Sequence, residues 1–172
     1  PELLSSTKNI SGLSVPVEIK FQKKIFKESL LFTHRGFSGP AILQISLYWD
    51  GKSPIIINFL PGVDLREVIL KDTRNTIGKL LKSYFPNNFV ETWLKIIQIP
   101  PLTSINQISK KNINIIHNHF QCFLYTPTQL DGMRKAEVTK GGVCTSELNH
   151  KTMESKKSPG LYFIGEVVDV TG

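Results

Sequence analysis

Hydrophobic and polar residues alternate between Ser14 and Phe21, where Pro16, Glu18 and Lys20 separate Val15, Val17, Ile19 and Phe21. A period of two predicts a strand with one buried face, because successive side chains leave a pleated backbone on opposite sides. A second strand is expected from Phe26 to Thr33, ending at the polar loop Thr33-His34-Arg35-Gly36-Phe37-Ser38-Gly39-Pro40. The period then lengthens, since Ala41, Ile42, Ile45, Tyr48 and Trp49 recur at helical spacing. Ser38 or Gly39 can cap this helix, and Pro40 suits its first turn because the missing N–H would have no intrahelical partner. Asp50-Gly51 makes a turn, and Ile55 to Leu60, bounded by Pro54 and Pro61, reads as a short buried strand.

The middle of the chain changes character. Three segments open with a polar cap residue followed three positions later by Glu or Gln: Asp64 with Glu67, Asn88 with Glu91, and Ser104 with Gln107. Apolar residues follow each at helical spacing, among them Leu65, Val68 and Ile69, then Phe89, Trp93, Ile96 and Ile97, then Ile105, Ile108, Ile115 and Ile116. Pro86 and Pro100-Pro101 punctuate the run, since proline inside a helix removes a hydrogen bond. The pattern then returns to β, with strands expected at Phe120 to Thr126, Ala136 to Lys140 and Gly160 to Glu166. The reading is an α+β fold: a β-barrel-like subdomain interrupted by a small three-helix subdomain, followed by a C-terminal strand of another domain. The divisions fall at 1–63 (β-rich), 64–118 (helical), 119–144 (β-rich again) and 145–172.

Composition narrows the function classes. With 40% hydrophobic and 20% charged residues the chain can bury a core. It has no run near the roughly 18 apolar residues of a membrane span and no cleavable leader, so a cytoplasmic protein with no membrane partner is expected. Cys122 and Cys144 lie far apart without a CxxC pairing, which predicts buried free thiols rather than a disulfide or zinc framework. The net charge of +7 invites a polyanion. Yet the lysine pairs at 23–24, 110–111 and 156–157 are isolated, a pattern of solvated surface more than of a nucleic-acid face. Pro1 at one end and Val170-Thr171-Gly172 after an apolar run at the other read as cuts through a longer protein.

Four features could carry chemistry. Gly160-Leu161-Tyr162-Phe163-Ile164-Gly165-Glu166 is an apolar run ending in Gly plus an acid, followed by Asp169, an arrangement that can place a carboxylate near a ribose or ribityl hydroxyl. Gly141-Gly142 could let a flat ring lie against the backbone, or simply form a turn. His34, ahead of the helix at Pro40, could move a proton or join an anion site, or belong to an ordinary polar loop. His117 and His119, with His150 elsewhere, lack the companions of a metal site, so no metal is expected. Walker A, GxSxG, HExxH and GxGxxG patterns are absent, which argues against a self-contained nucleotide site of those types.

Three stretches taken in order resemble the bacterial BaiN/YhiN-like flavoproteins, NAD(P)/FAD-dependent or aminoacetone-oxidase-type oxidoreductases. They are Leu31 through Ser46 (LFTHRGFSGPAILQIS), Ala136 through Val143 (AEVTKGGV), and Thr152-Met153-Glu154-Ser155 continuing to Gly160 through Asp169 (GLYFIGEVVD). The resemblance implies an insert domain plus the start of the returning FAD-binding segment. It implies that Gly165, Glu166 and Asp169 face FAD, with Gly141 and Gly142 near the isoalloxazine edge and the His34 loop within the insert. The family's N-terminal GxGxxG and following Gly-Gly-Tyr-Asn stretches lie outside these residues. The implied function is the substrate-covering insert of an FAD-dependent, NAD(P)H-linked oxidoreductase acting on a small molecule, inactive without the missing FAD-domain segments. The alternative reading is a basic β-barrel module that binds RNA or another polyanion without catalysis.

Overall fold

The computed structural model describes residues 2–170; Pro1, Thr171 and Gly172, and with them the outermost residues of the expected cuts, lie outside the described residues. The chain divides into two compact units between Gln129 and Leu130.

In the first unit, α1 (Glu2–Thr7) precedes the hairpin of β1 (Ser14–Phe21) and β2 (Lys24–Thr33). The hairpin register pairs Val15 with Leu30 and Ile19 with Phe26, so the alternation in β1 becomes one buried face, with Val15, Val17, Ile19 and Phe21 all inside. β3 (Gly36–Ser38) folds back on β2, α2 (Pro40–Ser46) follows, and β4 (Ile55–Asn58) joins the free side of β1, pairing Ile19 with Ile57. β5 (Phe123–Tyr125) completes an antiparallel sheet of order β3-β2-β1-β4-β5. The rings of Phe37 on β3 and Tyr125 on β5 lie 4.7 Å apart, so the two outer strands approach each other and the sheet is curled. Twist accumulated across successive strands is what brings such edges round.

Four helices separate β4 from β5: α3 (Leu65–Lys71), α4 (Ile77–Lys82), α5 (Asn87–Ile96) and α6 (Lys110–Gln121). They share one core with the sheet. At its centre Trp93 is fully buried, stacked on Phe89 at 4.8 Å and edge-on to Phe32 at 5.7 Å, with its Nε1–H donating to the His119 carbonyl at 2.9 Å. Geometry of this kind adds to area burial, and the indole finds the partner a buried N–H requires. Gln121, also buried, holds the entry to α3: its Oε1 accepts from Leu65 N–H, and its Nε2 donates to the Leu60 and Val63 carbonyls.

The helical expectations hold in kind and shift in detail. Asp64 caps α3 by accepting from the Arg66 and Glu67 N–H groups. Four helices stand where three were expected, because the Asp72 carboxylate takes the N–H groups of Arg74 and Asn75 and turns the chain before α4. Asn88 lies inside α5, which begins after Pro86. Ser104 opens only a three-residue 3-10 turn, and Ser109 caps α6 by accepting from Asn112 N–H. The strand expected from Phe120 is delayed to Phe123 because α6 runs on to Gln121, whose amide is committed to the α3 entry.

The second unit, residues 130–170, departs further. Neither Ala136 to Lys140 nor Gly160 to Glu166 forms a strand, and the expected C-terminal strand of an FAD-binding domain is not formed. The chain instead makes 3-10 turns at Met133–Lys135, Thr145–Glu147 and Gly165–Val167 with isolated bridges Val143 to Val168, Leu148 to Ser155 and Glu154 to Tyr162. A strand persists only where neighbours take its backbone groups and cover a face. Among the described residues here only Leu148 and Val168 are buried apolar side chains. The expectation of buried thiols also fails: Cys122 and Cys144 are both exposed, Cys122 at the end of α6 and Cys144 beside the Thr145–Glu147 turn.

No helix among the described residues is long and apolar enough to cross a membrane.

Candidate cofactor-facing site

The second unit brings together two sequence stretches that lie more than twenty residues apart. Val143 N–H donates to the Val167 carbonyl at 2.8 Å and Asp169 N–H donates to the Val143 carbonyl at 2.9 Å, a short parallel pairing. It sets Gly142 against the backbone of Val167 and Asp169. Gly142 has φ +137, and a Cβ there would overlap the Val167 carbonyl oxygen, so the close approach of these backbones requires glycine. Gly141 (φ +85) and Gly165 (φ +77) have no other atom within 4 Å of where a Cβ would stand, so both present bare backbone to open space. Thr139 Oγ1 donates to Glu166 Oε2 at 3.5 Å, and the carboxylates of Glu166 and Asp169 are exposed.

A second set of bonds supports this pairing. Ser155 N–H donates to the Leu161 carbonyl and Phe163 N–H to the Met153 carbonyl, tying Thr152–Ser155 to the apolar run. Glu154 Oε1 accepts from Gly160 N–H at 2.7 Å, and Lys157 pairs with Glu147. The apolar run itself is uncovered: Ile164 is 76% exposed and Val170 68%.

His34 belongs to the first unit, exposed in the two-residue turn between β2 and β3, where Thr33 Oγ1 accepts from the Arg35 and Gly36 N–H groups. Among the described residues no group of three His, Cys, Asp or Glu side chains is placed to hold a metal ion. His119 is half-buried, with Nδ1 lacking a partner among the described residues, and burial lowers its pKa. Sequence reasoning missed Cys144, whose thiol lies 3.0 Å from the Ser146 hydroxyl; that hydrogen bond lowers its pKa. The Ser at position +2 is the only signal that could have pointed to it.

A family model described as "HI0933-like protein barrel and H2TH domain" matches residues 2–138. The chain belongs to the HI0933-like family. The curled sheet and the α3–α6 helices are the parts of the fold this description covers. A ribosomal RNA dihydrouridine synthase of Escherichia coli K12 is 43% identical over 176 residues, covering 99% of this chain and 44% of the relative. A protein of the same name from Haemophilus influenzae is 42% identical over 170 residues, covering 95% of this chain and 42% of the relative. A 3-dehydro-bile acid delta(4,6)-reductase of Clostridium scindens is 27% identical over 153 residues, covering 81% and 37% respectively. The chain therefore spans less than half the length of these relatives. A reductase and two dihydrouridine synthases place this HI0933-like chain in an oxidoreductase-related family.

Proposed function

We propose that this HI0933-like chain is the substrate-covering insert, with the start of the returning segment, of an FAD-dependent and NAD(P)H-linked oxidoreductase whose substrate is a uracil base of ribosomal RNA. The observation that carries the flavin reading is the parallel pairing of Val143 with Val167–Asp169. It presents two bare glycine backbones, Gly141 and Gly165, alongside the Glu166 and Asp169 carboxylates. Those residues fit a flavin: glycine admits a flat ring against the backbone, and carboxylates accept hydrogen bonds from ribityl or ribose hydroxyls. When bound, the flavin would supply the hydride that saturates the substrate's carbon–carbon double bond. The protein's own part is to hold the cofactor at this backbone, orient the base over it and exclude water.

Uncovered Ile164, Val167 and Val170 support a missing neighbour, which in this reading is the rest of the FAD domain. The RNA part of the proposal rests on the two synthases, 43% and 42% identical over almost the whole chain, against 27% for the bile acid reductase. It replaces the small-molecule substrate and absorbs the RNA-binding alternative into the same protein.

The test joins this chain to the flanking segments of the Escherichia coli relative. Visible flavin absorption in the purified chimera and dihydrouridine in ribosomal RNA treated with it and NAD(P)H are expected. A folded chimera without bound FAD would overturn the cofactor reading; a flavin-loaded one that leaves ribosomal RNA unreduced would overturn the substrate.

A further inference from the structure

The charge of the chain is not spread as evenly as the isolated lysine pairs suggest. From Thr73 to Leu130 it carries six Lys and Arg residues against one carboxylate, Glu91. That carboxylate pairs with Lys82 at 2.6 Å and ties α4 to α5. Lys79 lies one turn before Lys82 on α4, and Lys95 one turn after Glu91 on α5, which sets Lys79, Lys82 and Lys95 along one continuous surface. The nearest further acid is Asp72, which attracts Lys79 and whose oxygens are engaged by the N–H groups of Arg74 and Asn75 and the Asn75 side-chain amide.

Beside this rim lies a groove of about 380 Å³ lined by Leu94, Ile99, Pro100 and Pro101 together with Lys95, Gln98 and Glu91, whose carboxylate is the one held by Lys82; Leu94 and Ile99 are buried, so the exposed apolar surface is that of Pro100 and Pro101. Its shape comes from the way α5 ends. Gln98 adopts φ +57, and Ile99 N–H returns to the Leu94 carbonyl at 3.0 Å, closing the helix as glycine usually does. A glutamine holds the left-handed position at a conformational cost, and the structure thereby places an amide side chain at the groove mouth. The far wall is held rigidly, since Gly78 N–H donates to the Pro101 carbonyl at 2.9 Å and Gly78 has no room for a Cβ against Pro101.

We propose that this groove binds a single-stranded segment of the RNA substrate: a splayed base lies on the exposed Pro100–Pro101 surface, Gln98 meets its edge, and Lys79 and Lys95 contact the flanking phosphates. The proposal rests on the reading above that the protein acts on RNA. Single-stranded RNA combines the two chemistries present, a polyanionic backbone and flat faces that prefer apolar contact.

The experiment measures fluorescence anisotropy of a labelled single-stranded oligoribonucleotide with this chain, as wild type, as Lys79→Glu/Lys95→Glu, and as a control Lys20→Glu/Lys23→Glu on the β1–β2 hairpin. All four lysines are exposed, so the fold should survive, which circular dichroism checks. The groove variant should bind about tenfold or more weakly, with a log–log salt slope shallower by about 1.4 for two lost contacts on a single strand. The control should change less than about threefold. Equal weakening in both variants, unchanged binding in the groove variant, or wild-type preference for a poly-glutamate peptide would each overturn the groove. None of these results touches the flavin reading, which the chimera's absorption decides separately.

Discussion

Replacing Gly142 with alanine tests the geometry on which the proposed cofactor-facing site depends. At φ +137 the backbone lies where an L side chain is rarely found, and the new Cβ would overlap the Val167 carbonyl oxygen. Holding that conformation costs on the order of 1–3 kcal/mol. The alternative is to let the two segments part, which loses the Val143-to-Val167 and Asp169-to-Val143 hydrogen bonds at about 1 kcal/mol each. The cheaper route sets the loss, so the pairing weakens by about 1–2 kcal/mol. Gly141→Ala is the matched control: its φ of +85 carries strain, but nothing lies within 4 Å of its Cβ, so the pairing should survive. The assay is native-state amide exchange read at Val143 and Asp169, the two donors of the pairing. In Gly142→Ala both should exchange about five- to thirtyfold faster than in the wild type, and in Gly141→Ala they should change far less. Unchanged exchange in Gly142→Ala, or equal acceleration in both variants, would mean that the glycine pair serves only as a turn.

Three further outcomes follow from particular contacts. Gln121→Leu leaves Leu65 N–H and the Leu60 and Val63 carbonyls without their buried partner; urea denaturation should register a loss of about 3 kcal/mol, and a loss below about 1 kcal/mol would refute the clamp. Burial lowers the His119 pKa, so its contribution to stability is complete above the ordinary histidine pKa of about 6.5 and is lost as pH falls below it, where the unfolded chain takes up a proton that the fold resists. The thermal midpoint should drop as pH falls below about 6.5, and His119→Phe should flatten that dependence; an equally steep profile in the variant would remove His119 as its source. Cys144 should be alkylated with a pH midpoint below that of an ordinary cysteine because the Ser146 hydroxyl stabilises the thiolate, and Ser146→Ala should return it to normal. A midpoint indifferent to Ser146 would dismiss that hydrogen bond as the cause.

What could be read from the residues themselves was whatever a local period or cap determines. Strict alternation predicted β1 and its buried face, because a strand has no other way to place Val15, Val17, Ile19 and Phe21 on one side. Asp64 announced α3 and Pro40 opened α2, since both act on N–H groups within one turn. The ordered stretches from Leu31 to Ser46, Ala136 to Val143 and Thr152 to Asp169 pointed to a flavoprotein family, a coarse reading that the family match and the reductase-type relatives support. Only the tertiary structure decided where non-local partners matter. The break between α3 and α4 depends on one carboxylate turning back on its own chain, the start of β5 on a glutamine engaged by residues nearly sixty positions earlier, and the curl of the sheet on Phe37 meeting Tyr125. Apolar runs at 136–140 and 160–166 look like strands to any rule of periodicity, yet a strand is a contract between neighbours. Without a covered face, neither run becomes a strand, and the chain around them is held at the isolated bridges Val143 to Val168 and Glu154 to Tyr162.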